Sequence, residues 1–112
     1  MKDNMIFVKH IMESINFIEQ FTEGFTEKEF LKDFKTQAAV IEMIQIIGEA
    51  SKNISEDFRS KYPDIPWRQM ARTRDKLIHG YFSVDLNLTW DVIRKDIPDL
   101  KEKISKIINE NK

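Results

Sequence analysis

Between Thr36 and Asn53 the chain carries Ala39, Val40, Ile41, Met43, Ile44, Ile46, Ile47 and Ala50. Wound as a helix, these cover well over half the circumference, so the helix must be touched on several sides. A helix in that position is the middle of a bundle, and the fold class this implies is all-α. The narrow polar strip left over holds Gln45 with Glu42 and Glu49, which are seven residues apart and stack on one face. Gly48 lies mid-helix, where it costs about 1 kcal/mol relative to alanine. Close approach of a second helix is the simplest reason for it.

The rest of the chain supplies the neighbours. Val8, Ile11, Met12, Ile15 and Ile18 recur at spacings of three and four, which predicts a first helix from about Asn4 to Phe21, ended by Thr22-Glu23-Gly24. Thr26 and Glu29 form a capping box that starts another, breaking near Asp33. Ser55 caps a short turn through Phe58 and Tyr62. Pro63-Asp64-Ile65-Pro66 is the clearest break, and Pro66 suits the first position of a helix from Trp67 to about His79. Gly80 either caps that helix or lets it run on to Phe82. A last helical region, about Leu88 to Asn109, carries Trp90, Ile93, Ile97, Leu100, Ile104, Ile107 and Ile108, and Pro98 should kink or split it. No stretch alternates as a strand does and no hairpin dipeptide occurs. The expectation is one domain over residues 1–112, a bundle of four to six helices with a kinked C-terminal helix.

Composition narrows the chemistry. There is no cysteine, so no disulfide, thiolate nucleophile or Cys-based metal site. The two histidines, His10 and His79, cannot make a three-His metal site in one chain. Gly24, Gly48 and Gly80 fit neither the dinucleotide fingerprint nor the P-loop. A net charge of −1 gives no global drive towards nucleic acid or anionic lipid. With no run of 18 apolar residues and a polar Met1-Lys2-Asp3-Asn4 start, the expected location is cytoplasmic, away from membranes. Neither a cofactor nor a metal is expected.

One helix departs from this neutrality. At about 100° per residue, Trp67, Met70, Ala71, Leu77, Ile78 and Tyr81 form an apolar stripe, with Arg74 in its middle. An arginine on a packing face needs a carboxylate, an interface or a ligand, unless its stem packs while its head reaches solvent or a structural glutamate. On the other side Arg68, Arg72, Lys76 and His79 lie along one stripe with Asp75. From Pro66 to Phe82, Arg68, Arg72, Arg74 and Lys76 stand against Asp75 alone, a local +3. Such a stripe is either a solvated face or an anion site. His10 sits near the middle of the first helix, with no charged constellation around it in sequence.

Arg74-Asp75-Lys76-Leu77-Ile78-His79-Gly80-Tyr81 reads R-x4-H-x-Y, and this resembles the signature of the HepT-like branch of the HEPN superfamily. Ile46-Ile47-Gly48-Glu49-Ala50 is similar to the family's I-I-G-E-A stretch, Pro66-Trp67 to the opening of its motif helix, and Trp90 with Asp96-Ile97-Pro98-Asp99-Leu100 to its last helices. The resemblance covers nearly the whole chain in order. It implies an all-α homodimer acting as a metal-independent ribonuclease toxin, with a minimal nucleotidyltransferase as antitoxin. In that scheme Arg74 and His79 are the catalytic pair, Asp75 the supporting polar residue, and Tyr81 the residue silenced by AMP transfer. Glu49 is the expected partner of Arg74, and Arg68, Arg72 and Lys76 are expected to hold RNA phosphates. A rival reading is a catalytically silent helical subunit that binds a nucleotidyltransferase and a nucleotide or nucleic acid; weak overall charge and the lack of an aromatic stacking platform favour it.

Overall fold

The computed structural model describes residues 3–79 and 83–112. Helix α1, Asn4–Thr22, starts where Asp3 accepts a hydrogen bond from the Met5 amide. Helix α2, Glu27–Phe30, carries the full capping box: Glu29 N–H donates to the Thr26 hydroxyl, and Thr26 N–H to the Glu29 carboxylate. Helix α3, Phe34–Lys52, begins two residues before Thr36 because Asp33 caps it, accepting from Thr36 N–H at 3.0 Å. Helix α4, Glu56–Lys61, is capped by Ser55. Ser55 also exchanges hydrogen bonds with Asn4, tying the start of α4 to the start of α1.

Helix α5, Trp67–Leu77, packs along α3, and α3 packs on its other side along α1. The central place expected for α3 is therefore observed. Val8, Ile11, Ile15 and Ile18 of α1 meet Val40, Ile44 and Ile47 of α3 in the core, with Met70 and Leu77 entering from α5. Gly48 stands where α3 and α5 come closest: a Cβ there would lie 3.3 Å from the Met70 carbonyl oxygen and 3.6 Å from that of Ala71. The helix tolerates the glycine because the close approach needs it. Gly48→Leu is expected to destabilise the fold by about 1–3 kcal/mol through overpacking. The check is urea unfolding, with a lower midpoint at unchanged slope.

Three sequence expectations need correction. The motif helix ends at Leu77, with Ile78 as its C-cap, and not at His79; Gly80 and Phe82, the other expected ends, lie outside the described residues. Ile78 is already extended (φ −106°, ψ 115°), and Ile78–His79 forms a short strand β1 paired antiparallel with β2, Ser83–Val84. The expectation of no strand therefore fails as well. The cause is a long-range bond: Asp85 N–H donates to the Leu77 carbonyl at 2.7 Å, and Asp85 then caps helix α6, Leu86–Asp91. Pro66 also occupies the N-cap of α5 and not its first helical turn.

The C-terminal region is divided, as Pro98 suggested, but the break precedes the proline. Val92–Asp96 forms a π turn in which Ile97 N–H reaches back five residues to the Val92 carbonyl. Helix α7, Ile97–Glu110, then starts so that Pro98 lies in its first turn, where a missing N–H costs nothing. Ile104 and Ile107 of α7 are fully buried, and Lys101 bonds Glu19 of α1 at 2.6 Å. Among the described residues no helix is long and apolar enough to cross a membrane.

Candidate ribonuclease site

Helix α5 is anchored before it presents any charge. Trp67, Met70 and Leu77 are buried, and the Trp67 indole N–H donates to the Tyr62 carbonyl at 3.1 Å. With these three turned inward, Arg68, Arg72, Arg74, Asp75 and Lys76 are all exposed. Arg68, Arg72 and Lys76 make no ion pair among the described residues, so their charge is not spent on a neighbouring side chain.

Arg74 shares its azimuth with Trp67, seven residues earlier, yet its side chain is 53% exposed. It is not on the monomer's packing face. Trp67, Met70 and Leu77 turn into the core and Ala71 and Ile78 are half-buried, so the fold exposes Arg74 between partly covered neighbours. Arg74 pairs with Asp75 at 3.6 Å, a contact between two exposed groups. Such a pair is worth little and yields readily to a phosphate.

Glu49 does not pair with Arg74. It binds Lys52 at 3.3 Å and faces away, because Gly48 is the position that meets α5 and the next residue is turned by about 100°. Glu49 instead lines a hollow between α1 and α3 with Glu42, Gln45 and His10. That grouping is invisible in sequence, since His10 lies more than thirty residues from either glutamate. The Phe7 ring meets the His10 ring edge-on, with centroids 6.3 Å apart.

The motif straddles the end of α5. Arg74 lies in the last helical turn, its carbonyl accepting from Ile78 N–H, and His79 follows on β1 with its backbone paired to Ser83. Of His79 only the backbone is described, and Tyr81 lies outside the described residues with Gly80 and Phe82. Among the described residues no group of three His, Asp or Glu side chains is arranged to hold a metal ion.

Residues 11–107 match the family model "Ribonuclease HepT-like". The chain belongs to the HepT-like ribonuclease family. A protein named "Probable ribonuclease HepT" from Thermococcus cleftensis is 52% identical over 101 residues, covering 90% of this chain and 92% of that protein. A Methanocaldococcus jannaschii protein named "Gamma-glutamylcyclotransferase and putative RNase" is 53% identical over 109 residues, but the chain spans only 49% of its length. No solved structure matches. The matched region includes the exposed cations of α5.

Proposed function

We propose that this chain is a metal-independent endoribonuclease, the toxin half of a toxin–antitoxin pair, working as a homodimer in which Arg74 and His79 act on RNA. The observation that carries it is the position of Arg74: half-exposed and weakly paired in the last turn of α5, five residues before His79.

RNA cleavage without a metal needs a base for the 2′-hydroxyl, an acid for the leaving 5′-oxygen and positive charge at the phosphorane. Histidine serves as acid or base near neutral pH, and a guanidinium holds phosphate oxygens in two places. One chain carries one motif histidine. A two-fold partner against the exposed Arg74 end of α5 brings two histidines and two arginines to one cleft. Asp75 stands beside Arg74 as its supporting polar residue, and the product carries a 2′,3′-cyclic phosphate.

The test is a mixing experiment. Arg74→Ala and His79→Ala chains, each inactive alone, are expected to regain part of the cleavage activity when combined, in the presence of EDTA. A fully active monomer, or activity that vanishes with EDTA and returns with magnesium, overturns this reading.

Silencing follows from the same charges. AMP on Tyr81 places a phosphodiester two residues after His79, where Arg74 or Arg72 can pair with it and the RNA phosphate is displaced. Tyr81→Phe is expected to keep most nuclease activity and to escape a nucleotidyltransferase antitoxin, so that cells expressing both proteins stop growing. If Tyr81→Phe is neutralised as fully as wild type, and no AMP unit appears on the wild-type chain by mass spectrometry, the antitoxin acts by binding alone.

A further inference from the structure

Between α4 and the start of α5 lies an open hollow of about 580 Å³ that the motif does not reach. Arg59 and Ser60 of α4 line it on one side, and Arg68 and Gln69 of α5 on the other. Arg59 is not a mobile surface cation. Its Nη2 donates to the Ser51 carbonyl at 2.9 Å and to the Lys52 carbonyl at 3.3 Å, clamping the guanidinium on the C-terminal end of α3. Its Nη1 makes no hydrogen bond among the described residues. Arg68 is exposed and makes no ion pair among them. Pro66 caps α5 without a side-chain acceptor, so among the described residues the Arg68 and Gln69 amides of the first turn have none. Glu56 is the one acid on the rim, which leaves the hollow net positive.

We propose that this hollow binds a backbone phosphate of the RNA at a distance from the scissile one, and so sets a minimum substrate length. The inference rests on the ribonuclease reading above. Arg59 supplies a fixed positive charge and Arg68 a movable one, while Ser60 and the two free amides donate to the phosphate oxygens. From Arg68 the unpaired cations continue through Arg72 to Lys76. At 1.5 Å per residue that stripe is about 12 Å long, the length of three or four stacked nucleotides. A strand held in the hollow and laid along it arrives at Arg74 and the His79 end of α5.

The experiment uses the full-length protein labelled with ¹⁵N. Inorganic phosphate, then an uncleavable 2′-deoxy octanucleotide, is titrated while the Arg68 and Gln69 amide signals are followed. Both ligands are expected to shift these amides. Arg68→Gln should weaken the octanucleotide severalfold and lower its salt slope by about 0.7. Glu56→Gln should strengthen it, which a merely structural role for the hollow does not explain. Both positions are exposed and leave the Arg59 clamp intact. In cleavage assays Arg68→Gln should raise KM for an octanucleotide RNA severalfold more than for a dinucleotide. Unshifted amides, equal KM changes for the two lengths, or tighter binding of ATP than of the octanucleotide at these amides would overturn the proposal. If the wild-type chain cleaves no RNA, the activity reading fails alone, because the binding arm still decides the hollow.

Discussion

Replacing His79 by alanine is expected to lower the rate of RNA cleavage by about 10²–10⁴, the usual contribution of a positioned acid or base. Arg74→Ala should cost about 10²–10³, the loss of one charge-stabilising donor, and should also raise KM because the same guanidinium binds the ground-state phosphate. The double variant should be little worse than the poorer single one, since the two groups serve one step. Initial rates on a single-stranded RNA, with unfolding midpoints measured beside them, make the comparison. Arg74 is half-exposed and its ion pair is weak, so its variant should unfold like wild type. A His79→Ala rate within threefold of wild type would remove this residue from the mechanism.

Trp90→Ala is the substitution expected to damage the fold most. Trp90 is 8% exposed and lies tilted on the fully buried Phe30, with ring centroids 5.3 Å apart. The Arg94 guanidinium covers it at 5.6 Å from the ring centroid. This contact fastens α6 to the four-residue α2, which is otherwise tied to α3, where the Gln37 side chain donates to the Phe30 carbonyl at 2.9 Å. Truncation of such a residue costs about 3–5 kcal/mol, a large share of the 5–15 kcal/mol typical of a whole domain. Trp90→Phe keeps an aromatic face against Phe30 and should lose much less. Urea unfolding followed by circular dichroism separates the two. A loss below about 1 kcal/mol in Trp90→Ala would show that α2 and α6 are held by other contacts.

Activity and stability thus depend on different parts of the chain. The charged residues of α5 sit on a face the core does not use, while Trp67, Met70 and Leu77 are buried beneath them. Loss of Arg74 should therefore leave a folded, inert protein. Such a variant is the proper control for any growth arrest seen on expression.

The sequence by itself determined what short-range physics controls. The 3.6-residue apolar period laid down α1, α3, α5 and α7, and the caps at Thr26 and Ser55 set where two helices begin. The crowding of apolar residues on α3 made it central, and Gly48 marked its contact with α5. The family could be read the same way, because Arg74, His79 and Tyr81 keep a fixed spacing along the chain. Tertiary structure alone decided the rest. Helix α5 stops at Leu77 because Asp85, eight residues on, donates to the Leu77 carbonyl. Arg74 left the apolar stripe because the packing of α5 turns Trp67, Met70 and Leu77 into the core and leaves the Arg74 side chain half-exposed, which a helical wheel does not decide. Glu49 went to Lys52 and the His10 hollow for a similar reason: one position along α3 decides which neighbour a side chain faces. Arg59 joined Arg68 only when α4 folded back over the end of α3. Each of these depends on bonds or contacts between separate elements, and the local pattern of residues that builds each element does not encode where its neighbour will lie.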